Sequence, residues 1–97
     1  MATYVTLLKY TDQGIRAIKE GPSRLEKAKQ ALKALGGEVK SFHLVQGQYD
    51  AVVFVDAPND EVVAKFALSV GSQGNVRSET MRAFNEEEYR RIVSGLP

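Results

Sequence analysis

The chain has no cysteine. That removes disulfides, thiolate nucleophiles and cysteine-ligated metals, and it fits a reducing cytosol. His43 is the only histidine, so it has no second histidine or cysteine beside which to hold a metal. Charge of one sign is also lacking: the net charge is +1, without the strong positive field of a nucleic-acid binder. No apolar run approaches the ~20 residues of a membrane helix. The first residues, Ala2-Thr3-Tyr4-Val5-Thr6-Leu7-Leu8, enter a strand-like alternation without the basic start of a secretory leader. There is no low-complexity tract, linker or repeat at a period of about 20–50 residues. These absences lead us to expect one cytoplasmic domain over residues 1–97, with no cofactor, metal, nucleic acid or membrane partner.

What is present is an ordinary globular composition, 43% hydrophobic and 26% charged. A domain of this length buries only about two-thirds of its unfolded surface, so burial at a subunit interface would add to a small core. Residues 3–10 are rich in Thr, Tyr, Val and Leu and predict a strand. Thr11-Asp12-Gln13-Gly14 breaks that pattern, a short amphipathic turn follows at Ile15–Ile18, and Gly21-Pro22 marks a boundary. Ser23 and Glu26 have capping-box spacing. Leu25, Ala28, Leu32 and Leu35 recur at helical spacing up to a Gly36-Gly37 stop. Residues 38–46 and 49–56 predict a hairpin about Gly47-Gln48. In its second strand Ala51-Val52-Val53-Phe54-Val55 reads as buried on both faces. A second helix follows Pro58 with the stripe Val62, Val63, Phe66, Ala67 and Val70. Residues 76–84 predict a fourth strand. Asn85 and Glu88 have N-cap spacing before a short terminal helix.

The order is β-α-β-β-α-β with a helical tail, an α+β ferredoxin-like split βαβ arrangement with a four-stranded antiparallel sheet. Right-handed crossovers place the first and third strands centrally, with both helices on one face. The other face stays bare, and the apolar third strand predicts a face-to-face homodimer, or a higher homo-oligomer.

Several motifs, in order along nearly the whole chain, resemble the GYD-domain family: Thr11-Asp12-Gln13-Gly14-Ile15, Pro22-Ser23-Arg24, Gly36-Gly37, Gly47-Gln48-Tyr49-Asp50, Asp56-Ala57-Pro58-Asn59-Asp60-Glu61, Gly74-Asn75-Val76-Arg77 and Thr80-Met81-Arg82-Ala83-Phe84. Gly47-Gln48-Tyr49-Asp50 is similar to the Gly-x-Tyr-Asp signature for which the family is named. The resemblance implies a small ferredoxin-like domain of bacterial or archaeal type, akin to dimeric α/β barrels, and brings no catalytic residues with it.

The candidate site residues each carry two readings. Tyr49 and Asp50 offer a phenol and a carboxylate for orientation or proton transfer, or else a packed ring and a turn-stabilising acceptor. His43, expected to share a face with Val39, Ser41 and Val45, is a candidate base or a structural strand residue. Alternation puts Tyr4, Thr6, Leu8 and Tyr10 on one face and Ser78, Thr80, Arg82 and Phe84 on another. If both sets line the bare face, Arg82, Thr80, Tyr4 and Thr6 form a polar lining in which Arg82 takes an anion or pairs with Glu79, Asp50 or a second subunit. Arg24, with Lys19 and Arg77, is a further cation able to draw a small anionic ligand or to serve as surface charge. Lys27, Lys29 and Lys33 read as a solvated helix face. Gly71-Ser72-Gln73-Gly74 leaves a helix rather than entering one, so it reads as a helix stop, not a phosphate loop. The function these residues suggest is small-molecule binding, with scope for cofactor-independent enzyme activity. The alternative is a non-catalytic assembly or regulatory module.

Overall fold

The computed structural model describes residues Met1–Pro97. Strand β1 (Ala2–Tyr10) ends at Thr11, which caps helix α1 (Asp12–Arg16) by accepting the Gly14 N–H at 3.1 Å. The same hydroxyl donates to the Gly74 carbonyl at 2.6 Å. Residue 14 must be glycine here, because a Cβ would lie 2.0 Å from the Asn75 carbonyl oxygen. A 3₁₀ turn (Ile18–Glu20) then runs directly into α2 (Gly21–Ala34). Since the turn already supplies an acceptor for Gly21, Ser23 falls inside the helix and the expected Ser23–Glu26 box does not form. Glu26 pairs instead with Lys29 at 3.3 Å. Gly36, at φ +90°, stops α2 as its position predicts.

Strands β2 (Glu38–Leu44) and β3 (Ala51–Ala57) form the expected antiparallel hairpin. The connection is longer than Gly47-Gln48: residues 45–50 make the loop, closed by the Val45 N–H on the Asp50 carbonyl at 2.9 Å. Tyr49 and Asp50 therefore lie before β3, not within it. Helix α3 (Asp60–Ser72) is capped by Asn59, whose side chain accepts the Val62 N–H at 3.0 Å. β4 (Val76–Ala83) leads to α4 (Glu86–Ser94), where Asn85 and Glu88 form a reciprocal capping box.

The sheet order is β2-β3-β1-β4, antiparallel throughout, so β1 and β3 are central. Paired residues share a face. Tyr4, Val53, Val55 and Ala57 point toward the helices and meet Leu32 of α2 and Val63 of α3 in the core. Burying Leu32 fully contributes about 1.5–3 kcal/mol. The opposite face carries Val5, Leu7, Val52, Phe54 and Met81 at its centre. Phe54 is 37% exposed and Met81 46%, so β3 is buried on the helix side only. Helix α4 stands off this body with Tyr89, Ile92, Val93 and Leu96 exposed. The overall extents are 51 × 31 × 18 Å.

Candidate ligand cavity

The two long helices diverge along the sheet. At one end Leu32 and Val63 close onto Val55 and Tyr4. The Tyr4 hydroxyl reaches α3 and donates to the Asp60 carboxylate. That bond to an anion, then burial, raises the phenol's pKa above its ordinary 10. At the other end the N-terminal half of α2 and the C-terminal half of α3 leave a cavity of about 380 Å³ over the sheet. Ala28 is the reason on the α2 side, with the exposed Ala31 beside it: the helical period faces Ala28 inward, but a methyl cannot span the gap that Leu32 fills one turn later. The floor is Leu8, Phe42 and Val76, and α3 contributes Ser69 and Val70. A smaller recess of about 70 Å³ extends inward past Leu8, Leu25, Ala28, Phe42 and Val70. It ends on Thr6 and Thr80, whose hydroxyls lie 3.1 Å apart and share a hydrogen bond. Arg24 and Lys27 stand at the outer rim.

The candidates fall into separate places. Thr6, Thr80 and Arg24 line the two connected spaces. Tyr4 lies beneath the packed end. Arg82 is cross-strand from Tyr4, donates to the Thr3 and Ala83 carbonyls, and pairs with Glu88 of α4 at 3.6 Å. Its partner is thus an internal carboxylate, though neither Glu79 nor Asp50. Its guanidinium also lies 4.4 Å from the Phe84 ring centroid. All of these strand residues face the helices, so the expectation that they line the bare face is corrected. Both alternating sets of β1 contain apolar residues, and packing against α2 and α3 selects the set with Tyr4, Thr6 and Leu8.

His43 lies on the bare face, where it pairs with Val52. A bulge between Val39 and Ser41 changes the phase of β2, so Val39 joins the core while Ser41 and His43 face outward. The expected shared face of Val39 and His43 is lost to that extra residue. The Tyr49 hydroxyl donates to Glu79 at 3.1 Å, which raises its pKa, and Lys9 lies 5.3 Å from its ring centroid. Glu79, Leu7, Val52 and His43 form one cross-strand row, so three strand spacings, about 14 Å, separate the backbones of His43 and Glu79. Asp50 accepts the Tyr10 N–H at 2.9 Å and so ties the hairpin loop to β1. The three catalytic candidates are not brought to one point, and no three His, Asp or Glu side chains converge to hold a metal ion. Sequence reasoning missed Lys27, Ala28 and Ala31 as cavity residues. The available signal was Ala28, a small residue on the inward stripe of α2.

A Thermus thermophilus protein named "Glutamine synthetase and cystathionine beta-lyase binding protein" is 32% identical over 84 residues, spanning 86% of this chain and 88% of that one. The crystal structure of TTHA0845, also from Thermus thermophilus, is similar with a TM-score of 0.56 at 24% identity, over 88% of this chain and 95% of that chain. The feast or famine regulatory protein of M. tuberculosis, solved with L-methionine, has a TM-score of 0.64 at 17% identity, over 88% of this chain and 51% of that chain. At these identities the two structures bear on the fold alone. The GYD domain model matches residues 4–93, and with the hairpin Gly47-Gln48-Tyr49-Asp50 in place the chain belongs to the GYD domain family.

Proposed function

We propose that this chain is a homodimeric binding module that takes a small molecule between α2, α3 and the sheet and closes the bare sheet face against a second copy. The observation that carries the reading is the cavity, whose 380 Å³ falls within the usual range of about 300–1,000 Å³ for small-molecule sites. Its walls are mostly apolar with a few polar groups at the rim, the usual composition of such sites. The bare face supports the dimer: its apolar centre of Val5, Leu7, Val52, Phe54 and Met81 is ringed by Lys9, Arg77, Glu79, His43 and Asp56, the core-and-rim anatomy of an interface. His43, Tyr49 and Asp50, if they act in any reaction, do so separately.

A thermal-shift screen with small organic compounds tests the cavity. Compounds that raise the Tm of the native chain should leave Ala28→Phe unmoved. A screen in which no compound separates the two proteins removes the reading. For the dimer, sedimentation velocity should give twice the chain mass for the native protein and a folded monomer for Phe54→Asp, a loss of about 2 kcal/mol or more of association.

A second reading is supported by the Thermus relative, whose name gives two enzymes as its partners. This chain would then act by binding an enzyme, with the exposed Tyr89, Ile92 and Val93 of α4 and Leu96 just after it as the contact. Affinity capture with purified glutamine synthetase and cystathionine beta-lyase should succeed with the native chain and fail with Ile92→Asp. Capture of neither enzyme by the native chain would end this second reading.

A further inference from the structure

The cavity has a charge pattern as well as a volume. We infer that its ligand is an amphiphilic monocarboxylate, with its apolar body over Leu8, Phe42 and Val70 and its carboxylate at Lys27. This rests on the small-molecule reading of the cavity and adds the chemical class of the occupant.

Three observations lead there. First, the inner recess is apolar apart from Thr6, Ser78 and Thr80, while the polar Tyr10, Ser69, Gln73 and Asn75 belong to the outer space. The Thr6 and Thr80 hydroxyls bond to each other, and no buried side-chain nitrogen or oxygen in the chain lacks a partner. An apolar body suits that inner lining, whereas a polar one would be desolvated there with few partners. Second, the rim is cationic: Arg24 and Lys27 line it, and no aspartate or glutamate does. Third, the two cations differ in how far they are already engaged. Arg24 donates to the Ala17 carbonyl at 2.9 Å and the Gly14 carbonyl at 3.4 Å, with the Glu20 carboxylate 3.7 Å away. It is thus committed to holding α1 and the 3₁₀ turn against α2. Lys27 makes no ion pair. It is a free, exposed cation beside an apolar hollow, able to pair with an anion seated there. A cationic amphiphile would meet like charge at the same place, and a neutral one would leave Lys27 as it is.

The test uses octanoate, 1-octanol and octylammonium, titrated calorimetrically below their aggregation concentrations into the native chain and into Lys27→Glu. Lys27 is exposed on α2, so the variant should fold normally. Octanoate should bind the native chain about tenfold tighter than 1-octanol, the gain expected of one charge-assisted contact, and octylammonium weaker than either. Lys27→Glu should weaken octanoate by about the same factor, leave 1-octanol unchanged, and favour octylammonium. Equal binding of octanoate and 1-octanol to the native chain would keep the cavity as a site and overturn the anion. Retention of octanoate affinity in Lys27→Glu would overturn the role of Lys27. Failure of all three probes would overturn this inference, and the thermal-shift screen decides separately whether the reading on which it stands survives.

Discussion

The two ends of the layer between helices and sheet are built from the same pattern and reach opposite outcomes. At one end Leu32, Val63, Val55 and Tyr4 interlock, with Leu32 wholly buried. At the other, Ala28 occupies the inward position one turn before Leu32, with the exposed Ala31 beside it, and about 380 Å³ stays open. Both ends obey the helical period. Side-chain volume, not periodicity, decides which end becomes core and which becomes a candidate site. The packed end holds the helices, and α2 and α3 then carry the open end apart from it.

The largest expected effect comes from making the packed end resemble the open one. Leu32→Ala should cost about 3 kcal/mol, read as a fall in the urea midpoint at unchanged slope. A cost below a few tenths would mean that the core does not depend on this contact. Tyr4→Phe keeps the volume but removes the hydroxyl that donates to Asp60. It should cost about 1.5 kcal/mol in the same assay, and no change would show that the link to α3 is idle. Ala28→Phe makes the opposite change and fills the open end. A gain of about 1 kcal/mol is expected, whereas a loss would show that the end is held open by strain rather than by lack of volume.

The smallest effect lies in α4, which is neither packed nor hollow and rests on its cap. The Glu88 carboxyl is held below its ordinary value of 4.5, first by the Asn85 backbone N–H and then by Arg82 and Arg91. A depressed folded pKa favours the capped helix when Glu88 is ionised. The stabilisation is therefore complete above the ordinary value and lost as pH falls through the lower, folded one. Amide chemical shifts of residues 86–94 should report fraying in that acid range, and Glu88→Gln should abolish the step. A step of the same size in Glu88→Gln would assign it to another carboxylate.

Much of the fold was legible because its signals are local and strong. The stripe of α2, the Gly36 stop, the Asn85–Glu88 spacing and the alternation of β1 lead to the observed element order, and the crossover rule to the central β1 and β3. Faces were harder. Alternation divides β1 into Tyr4, Thr6, Leu8 and Thr3, Val5, Leu7, but both sets contain apolar residues and only tertiary packing chooses between them. The β2 bulge carried no clear sequence mark, and it moved His43 away from Val39. The Ser23–Glu26 spacing was sound locally but was overridden by the 3₁₀ turn before it. Of the candidate site, Thr6, Thr80 and Arg24 were named for their chemistry. The space they border depends on what Ala28 and Ala31 do not fill, and a motif search does not register missing volume.

Helix α4 has a mechanical consequence. A compact chain of this length has a radius of gyration of about 12.5 Å, whereas this one reaches 14.6 Å. Helix α4 stands off the body of the fold, and the Arg82–Glu88 pair at 3.6 Å ties it back to β4. Both partners of that brace are partly open to solvent, so mobile ions weaken it. If this pair holds α4 in place, solution scattering at rising ionic strength should give a larger radius of gyration, and an unchanged radius would show that the pair does not set the position of α4.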